Sequence, residues 1–238
     1  MKGMKKFTKV TALSLVVFMF VLVLGIQSAE ALATLRLSDG TTTFDVADGS
    51  GLDSNSAAGA VTYVGAVGSV WWLNVTTGIT YPALGGSGSP QMDLSDVSMT
   101  NSGPSTLTIS FSQDNFSLAS SSAEFVSTVG GATDGTANFD TYFDNGNNLF
   151  AQTIAVGTLG PYVAGTPDSP FSGATNASGS TDSQYSITQV ATITHNASGE
   201  NSSFNYVVNV VPEPISSTLF IIGGATLGFR RWRKKKIS

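Results

Sequence analysis

Thr106-Leu107-Thr108-Ile109-Ser110-Phe111-Ser112 alternates without a break. Leu107, Ile109 and Phe111 fall on one face of an extended chain, and Thr106, Thr108 and Ser110 on the other. A period of two marks a strand with one buried and one polar face. The same reading extends outward in both directions. Upstream, Thr34–Leu37 and Thr42–Val46 flank Asp39-Gly40, a type I′ hairpin signal. Ala60–Val67 and Val70–Val75 form a second expected hairpin, and Met92–Met99 a further strand. Downstream come Ala123–Val129, Ala137–Phe143, Leu149–Val156, Tyr185–His195 and Phe204–Val210. Ser183–Thr194 is rich in Thr, Ile, Val and Tyr, which suit a pleated surface. Turn signals separate the strands at Gly49-Ser50-Gly51, Gly85-Gly86-Ser87-Gly88, Asn101-Ser102-Gly103-Pro104, Gly130-Gly131, Asp144-Asn145-Gly146 and Ala164-Gly165-Thr166-Pro167. Residues 164–182, rich in Ser, Gly and Pro, read as a long exposed loop. No amphipathic helix and no internal repeat emerges. The pattern predicts an all-β antiparallel sandwich or jelly roll over residues 34–210.

The chain has 238 residues, enough for one domain with its own core. It has no cysteine, which excludes a disulfide framework and thiol chemistry. Charge is distributed unevenly. Lys2, Lys5, Lys6 and Lys9 open the chain; Arg230, Arg231, Arg233 and Lys234-Lys235-Lys236 close it. Between Thr34 and Val211 fourteen acidic residues face Arg36 alone, a net charge of −13. Phosphate binding needs clustered Lys and Arg, so nucleic acid is not an expected partner of the body. Lysine is a common guard on sheet edges and this body has none, so its edges need other protection or serve assembly.

Enzyme chemistry is poorly supplied, and the body reads as non-enzymatic. His195 is the single histidine, read as a surface or edge residue, and no G-x-S-x-G elbow accompanies it. A zinc site needs more His or Cys ligands than the chain contains. An acid-pair glycosidase needs only two carboxylates, and fourteen acids make chance pairs easy. Calcium suits the residue types better, because it takes oxygen ligands from Asp, Asn and carbonyls on turns. Two clusters fit: Asp45, Asp48, Asp53 with Asn55, and Asp140, Asp144, Asn145 with Asn147. Neither follows an EF-hand loop, and ordinary turn chemistry explains the same residues. Trp71-Trp72 offers an aromatic face for a sugar ring. Adjacent strand residues point to opposite faces, so at most one of them lines a given surface. Five N-x-S/T triplets, at Asn74, Asn115, Asn176, Asn196 and Asn201, are what an Asn/Ser/Thr-rich composition produces.

Residues 1–33 have the order of a secretion signal: a basic start, an apolar run from Val10 to Ile26, then small residues. Ala29-Glu30-Ala31 and Ala31-Leu32-Ala33 both fit the small-x-small cleavage pattern, with cleavage after Ala33 preferred and after Ala31 second. Residues 211–238 carry three parts in order: Val211-Pro212-Glu213-Pro214, an apolar stretch from Ile215 to Phe229, and the basic cluster. Fifteen apolar residues span about 22 Å as a helix, short of a ~30 Å hydrocarbon core. The basic cluster holds the C-terminus in the cytoplasm and places the body outside.

This tail resembles the PEP-CTERM sorting signal of Gram-negative bacteria that make extracellular polysaccharide. The resemblance rests on Pro212, Glu213, Pro214, the short apolar helix, and Arg230, Arg231 and Arg233, and does not extend into the body. It implies an exosortase as partner after the signal peptidase, with cutting near the motif and delivery of the body to the cell surface or matrix. The expected protein is therefore an exported surface or matrix component associated with biofilm and exopolysaccharide. The alternatives are a carbohydrate-binding module on the same scaffold, and more remotely a glycosidase.

Overall fold

A computed structural model describes residues 33–118, 122–181 and 184–212 of this chain. The helices expected within the signal segment and after the Pro-Glu-Pro motif lie outside those residues, as do Ala31, Glu213, Pro214, Arg230, Arg231 and Arg233. The described residues form thirteen strands and no helix. They are β1 (Thr34–Ser38), β2 (Thr43–Ala47), β3 (Ala60–Val67), β4 (Trp71–Ile79), β5 (Gly85–Gly86), β6 (Ser89–Asn101) and β7 (Ser105–Phe116). Then follow β8 (Ser122–Thr133), β9 (Thr136–Asp144), β10 (Ile154–Val163), β11 (Ser169–Ser180), β12 (Tyr185–His195) and β13 (Asn201–Pro212).

All pairings are antiparallel. One sheet has the order β10-β9-β12-β7-β1-β2; the other has β11-β8-β13-β6-β4-β3, with β5 paired to β6 beside that path. The two sheets face each other as a sandwich. Leu107, Ile109 and Phe111 of β7 are fully buried, as are Leu35 and Leu37 of β1 beside them. Their inner faces meet those of the second sheet: Phe125 stacks on Phe143 at 4.9 Å, and Phe139 packs edge-on to Phe204 at 5.1 Å. Each fully buried side chain of this size contributes roughly 1.5–3 kcal/mol, so the core stands without disulfides. Hydroxyls also bridge the layers. Thr141 Oγ1 bonds the Ser127 hydroxyl at 2.8 Å and the Tyr206 hydroxyl, and Gln189 Nε2 donates to the Tyr206 carbonyl at 2.8 Å. Interior hydroxyls are thus largely paired with one another, although Thr34 Oγ1, Thr181 Oγ1, the Tyr185 hydroxyl and Gln189 Oε1 have no partner among the described residues.

The turns divide the sandwich into two ends. Residues 39–42, 68–70, 102–104, 134–135, 164–168 and 196–200 lie at one, here called the far end. The chain enters at Thr34 and leaves at Pro212 at the opposite, near end, together with the loops at 48–59, 80–88 and 145–153. The last strand, β13, lies inside its sheet between β8 and β6. Its final residue is Pro212, paired with Ala123, so the first proline of the tail motif belongs to the sheet.

Several expectations are corrected. Most of the loop expected at residues 164–182 is a strand: Ser169–Ser180 pairs residue by residue with β8, after a turn at 164–168. The strand expected at Leu149–Val156 begins at Ile154 and runs on to Val163. Gly130-Gly131 is not a turn but the interior of β8, whose turn falls at Asp134-Gly135. A Cβ on Gly131 would stand 2.2 Å from the Ser203 carbonyl and 2.7 Å from the Phe171 ring, so glycine is needed for close approach. The Asp39-Gly40 hairpin exists, but its loop has four residues. Asp39 Oδ1 accepts from the N–H of Thr41 (2.9 Å) and Thr42 (2.6 Å), an Asx turn in place of a two-residue type I′ turn.

Candidate functional site

Strand alternation separates the two tryptophans. Trp71 is buried, and its ring lies 4.7 Å from that of His195. Trp72 points the other way, 54 % exposed on the outer face of the β11-to-β3 sheet at its far end. The register puts Ala66 on one side of Trp72 and Thr100 on the other, with Asn201 beyond Thr100. Strands lie about 4.8 Å apart, so Asn201 stands about 10 Å from Trp72 along this row. Asn201 is held in place: its Oδ1 accepts from Ser98 Oγ at 2.9 Å, and its N–H donates to Asp134 Oδ2 at 2.8 Å.

The pleat breaks just below this row. Between Leu73↔Met99 and Thr76↔Asp96, Asn74-Val75 and Val97-Ser98 face each other unpaired. β3 crosses the same interval with one residue fewer than β4, and β13 with one fewer than β6. Two bulges therefore sit side by side. Bulges re-aim side chains and often adjoin binding sites. Here they turn Val97 out to 63 % exposure beside exposed Val64 and Asn74. The result is an apolar and aromatic centre (Val64, Trp72, Val97) rimmed by hydroxyl and amide groups (Asn74, Thr100, Asn201). Such a surface can stack on the C–H face of a sugar ring and hydrogen-bond its hydroxyls.

Beyond Asn201 the far end opens into a cleft of about 320 Å³ lined by Asp134, Thr166, Pro167, Ser198, Gly199 and Glu200, among others. Its acids are engaged with backbone. Asp134 Oδ1 accepts from the Asp168 N–H at 2.5 Å, and Glu200 Oε2 accepts from the Asn196 N–H at 2.7 Å. Behind the cleft lies His195. It is neither an edge nor a surface residue: β12 runs between β9 and β7, and His195 is 1 % exposed. Local sequence predicts a strand there and is silent about what pairs with it. His195 Nε2 lies 2.8 Å from Ser202 Oγ, which bonds Thr133 Oγ1 at 2.7 Å. The pair has the spacing of a base and a nucleophile but not the access, since both groups are buried. Nδ1 has no partner among the described residues, so no carboxylate orients the ring as a triad requires. Burial pushes the imidazole pKa down, against the opposing fields of Glu200 and Asp134.

The calcium candidates are engaged in hydrogen bonds and an ion pair. Asp45 forms a two-pronged ion pair with Arg36 at 2.7 and 2.8 Å. Asp48 accepts from the Gly59 N–H at 2.6 Å, and Asp53 from the N–H groups of Gly49, Asn55 and Thr62. Asp140 accepts from Thr158 Oγ1 on the neighbouring strand. Asp144 accepts from Thr153 Oγ1, Asn148 N–H and Asn148 Nδ2, while Asn145 Nδ2 donates to the Ser180 carbonyl. Among the described residues no three of His, Cys, Asp or Glu converge as a metal group. Sequence reasoning missed Asp96, for which only the strand context is a clue. It is a buried carboxylic acid on β6, bonded to the Thr76 hydroxyl, with its other oxygen unpartnered. Burial raises its pKa to about 7, against the lowering effect of the Thr76 and Ser98 hydrogen bonds.

No family model matches this chain, and no curated protein does. Solved structures do. A carbohydrate-binding module of Cellvibrio mixtus lichenase 5A, bound to cellotriose, is 11 % identical over 66 % of this chain and 90 % of its own, with a TM-score of 0.23. The K1 cleaved adhesin domain of Lys-gingipain from Porphyromonas gingivalis W83 is 11 % identical over 68 % and 96 %, with a TM-score of 0.31. A family 29 carbohydrate-binding module complexed with mannohexaose is 9 % identical over 76 % and 93 %, with a TM-score of 0.26. Overlaps this loose transfer no property to the chain.

Proposed function

We propose that this chain is an exported bacterial surface protein that binds polysaccharide of the surrounding matrix through the sheet face around Trp72. The observation that carries the reading is the division of labour between the ends. Both chain ends leave the sandwich at the near end, and Trp72 with its bulged, polar-rimmed surround lies at the far end. A body carried from Pro212 holds that face away from its attachment. The export half rests on the two terminal segments: a signal peptidase site at Ala31 or Ala33, then exosortase recognition of Pro212-Glu213-Pro214 and the basic cluster. The binding half rests on the exposed indole and its hydroxyl and amide rim. An acidic body suits a neutral glycan better than an anionic one, because like charges repel across a dry contact. The buried histidine leaves no Ser-His pair open to a substrate, and the acid-pair glycosidase stays the remoter alternative.

The test is a pull-down of the wild-type protein and a Trp72→Ala variant on insoluble neutral polysaccharides, followed by tryptophan fluorescence titration with soluble oligosaccharides. Retention of the wild type with loss in the variant, at an unchanged melting temperature, supports the reading. Equal retention of both moves the site elsewhere. Retention of neither leaves a purely structural role in the matrix, the second reading of the same export signals.

A further inference from the structure

The sandwich has four sheet edges, and three are visibly blocked. At β3 the free-edge groups of Thr62 are taken: Ser54 N–H donates to its carbonyl at 2.9 Å, and its own N–H donates to Asp53 Oδ1 at 2.9 Å. The β10 ladder breaks its register twice, between Ala155 and Gly157 and between Leu159 and Tyr162, and Pro161 offers no N–H. β2 is five residues long and carries the charged Asp45. Each is a recognised way of refusing a further strand.

β11 has none of these devices. Its twelve residues pair with β8 without a register shift. Ser169–Ser180 contains no charged residue, and its one proline is Pro170, next to the start. Among the described residues no backbone hydrogen bond other than those to β8 reaches the strand between Phe171 and Gly179. Along the strand, half-exposed and fully exposed residues alternate and none is buried. The inward Phe171, Thr175 and Ala177 are left half-covered, with Phe171 stacked on Tyr162 at 4.8 Å and 5.7 Å from Phe139.

From this contrast we infer that β11 is a homotypic assembly edge, at which a second copy of this chain adds its own β11 antiparallel across a two-fold axis. The occupant follows from self-complementarity. An antiparallel two-fold pair brings each strand against itself, so one uncharged, small-residue strand meets another with no like charges opposed in the ladder. The axis stands perpendicular to the sheet, so outer-face residues Ser172, Ala174, Asn176 and Ser178 meet outer-face residues. Phe171, Thr175 and Ala177 then gain cover from the partner's inner face. The net charge of −13 over Thr34–Val211 opposes association at long range, so dimerisation strengthens as salt screens it.

Sedimentation of the exported protein over a range of concentrations at low and moderate salt tests this. The mass is expected to double with concentration, at lower concentration when salt is added. Ala174→Lys, on the exposed face, is expected to keep one-chain mass with an unchanged melting temperature. Thr175→Lys is a second blocking variant, in which the lysine is wet in the monomer and buried in the dimer. Because the chain has no cysteine, single Ala174→Cys, Thr175→Cys and Asn176→Cys variants report the axis directly. At least one should form a disulfide dimer on oxidation, and Val163→Cys on the β10 edge should not. A one-chain mass at every concentration overturns the inference, as does dimerisation indifferent to both lysines. In the one-chain species, slow hydrogen exchange at those β11 N–H groups that point away from β8 also overturns it, by showing the edge already filled.

Discussion

The near and far ends of the sandwich spend the same residue types differently. At the near end the loops are long, and Asp and Asn side chains act as their internal scaffold. Asp53 gathers three backbone N–H groups, Asp144 holds Asn148 and Thr153, and Asn147 accepts from Asn115 N–H and donates to Asn115 Oδ1. At the far end the turns are short; Asp39, Asp134 and Glu200 bond turn backbone there too, but around them the polar groups converge on buried His195 and on the open cleft in front of it. Acidic side chains at turns therefore do not by themselves mark a binding site. Where loops are long they substitute for missing strand partners, and among the described residues the exposed indole, Trp72, lies at the opposite end.

The largest effect should come from the two adjacent tryptophans. Trp71→Ala empties a buried far-end site beneath the turns and is expected to cost about 3–5 kcal/mol in denaturant unfolding. Trp72→Ala should stay within about 0.5 kcal/mol of wild type. Comparable losses in the two variants would mean that the outer face is structural.

Next is pH. Asp96 titrates at about 7 in the folded chain, against an ordinary 3.8. The folded state thus keeps a proton that the unfolded state releases. Its contribution is complete below about pH 4, is lost as pH rises toward 7, and is flat above; the loss is on the order of 4 kcal/mol at most. His195 has the opposite sign: its pKa is depressed, so its contribution is present above about 6.5 and falls away on acidification. Asp96→Asn should remove the first slope and leave the second, seen as a fall in melting temperature only toward acid. An unchanged profile in Asp96→Asn would show the carboxyl to be hydrated.

At the near end, Asp144→Ala leaves Asn148 N–H and the Thr153 hydroxyl without their acceptor and should cost about 1–3 kcal/mol. The pKa of Asp144 is held low, first by Thr153 and then by Asn148, so this contribution persists above the usual carboxylate range and disappears as pH falls through it. Calcium or chelator should leave the melting temperature unchanged if these acids serve as turn scaffolds; a rise of several degrees with calcium would give the near end a metal-binding role. The smallest effect concerns the first described residue. Ala33 is buried, and its carbonyl accepts from Asp48 N–H at 3.0 Å. Signal cleavage after Ala31 keeps that bond and cleavage after Ala33 removes it, so the mature protein is expected to begin at Leu32. A mature start at Thr34, read by intact mass, would show this corner to be dispensable.

What was legible in the sequence is what alternation encodes. Leu107, Ile109 and Phe111 are buried as their spacing implies, and Trp71 and Trp72 diverge as neighbouring strand residues must. What was hidden depends on partners distant in sequence. Ser169–Ser180 has few β-favouring residues, and β8 makes it a strand by presenting twelve consecutive pairing positions. His195 reads alike at an edge or in the middle of a sheet, and only Ser105 of β7 and the flanking β9 decide which. The double bulge that turns Val97 outward arises from a one-residue surplus shared by β4 and β6, which neither strand reveals alone.

Because β13 ends at Pro212 while flanked on both sides, the structure also has a load path. A pull applied at Pro212 against a ligand held near Trp72 runs along the strands of a single sheet, through β13 and β6 to β4. The ladder hydrogen bonds lie across that direction, so they bear the tension together in shear instead of opening one after another like a zipper. If the chain is tethered at the cell surface as proposed, it would resist drag most strongly along the line in which flow would pull it.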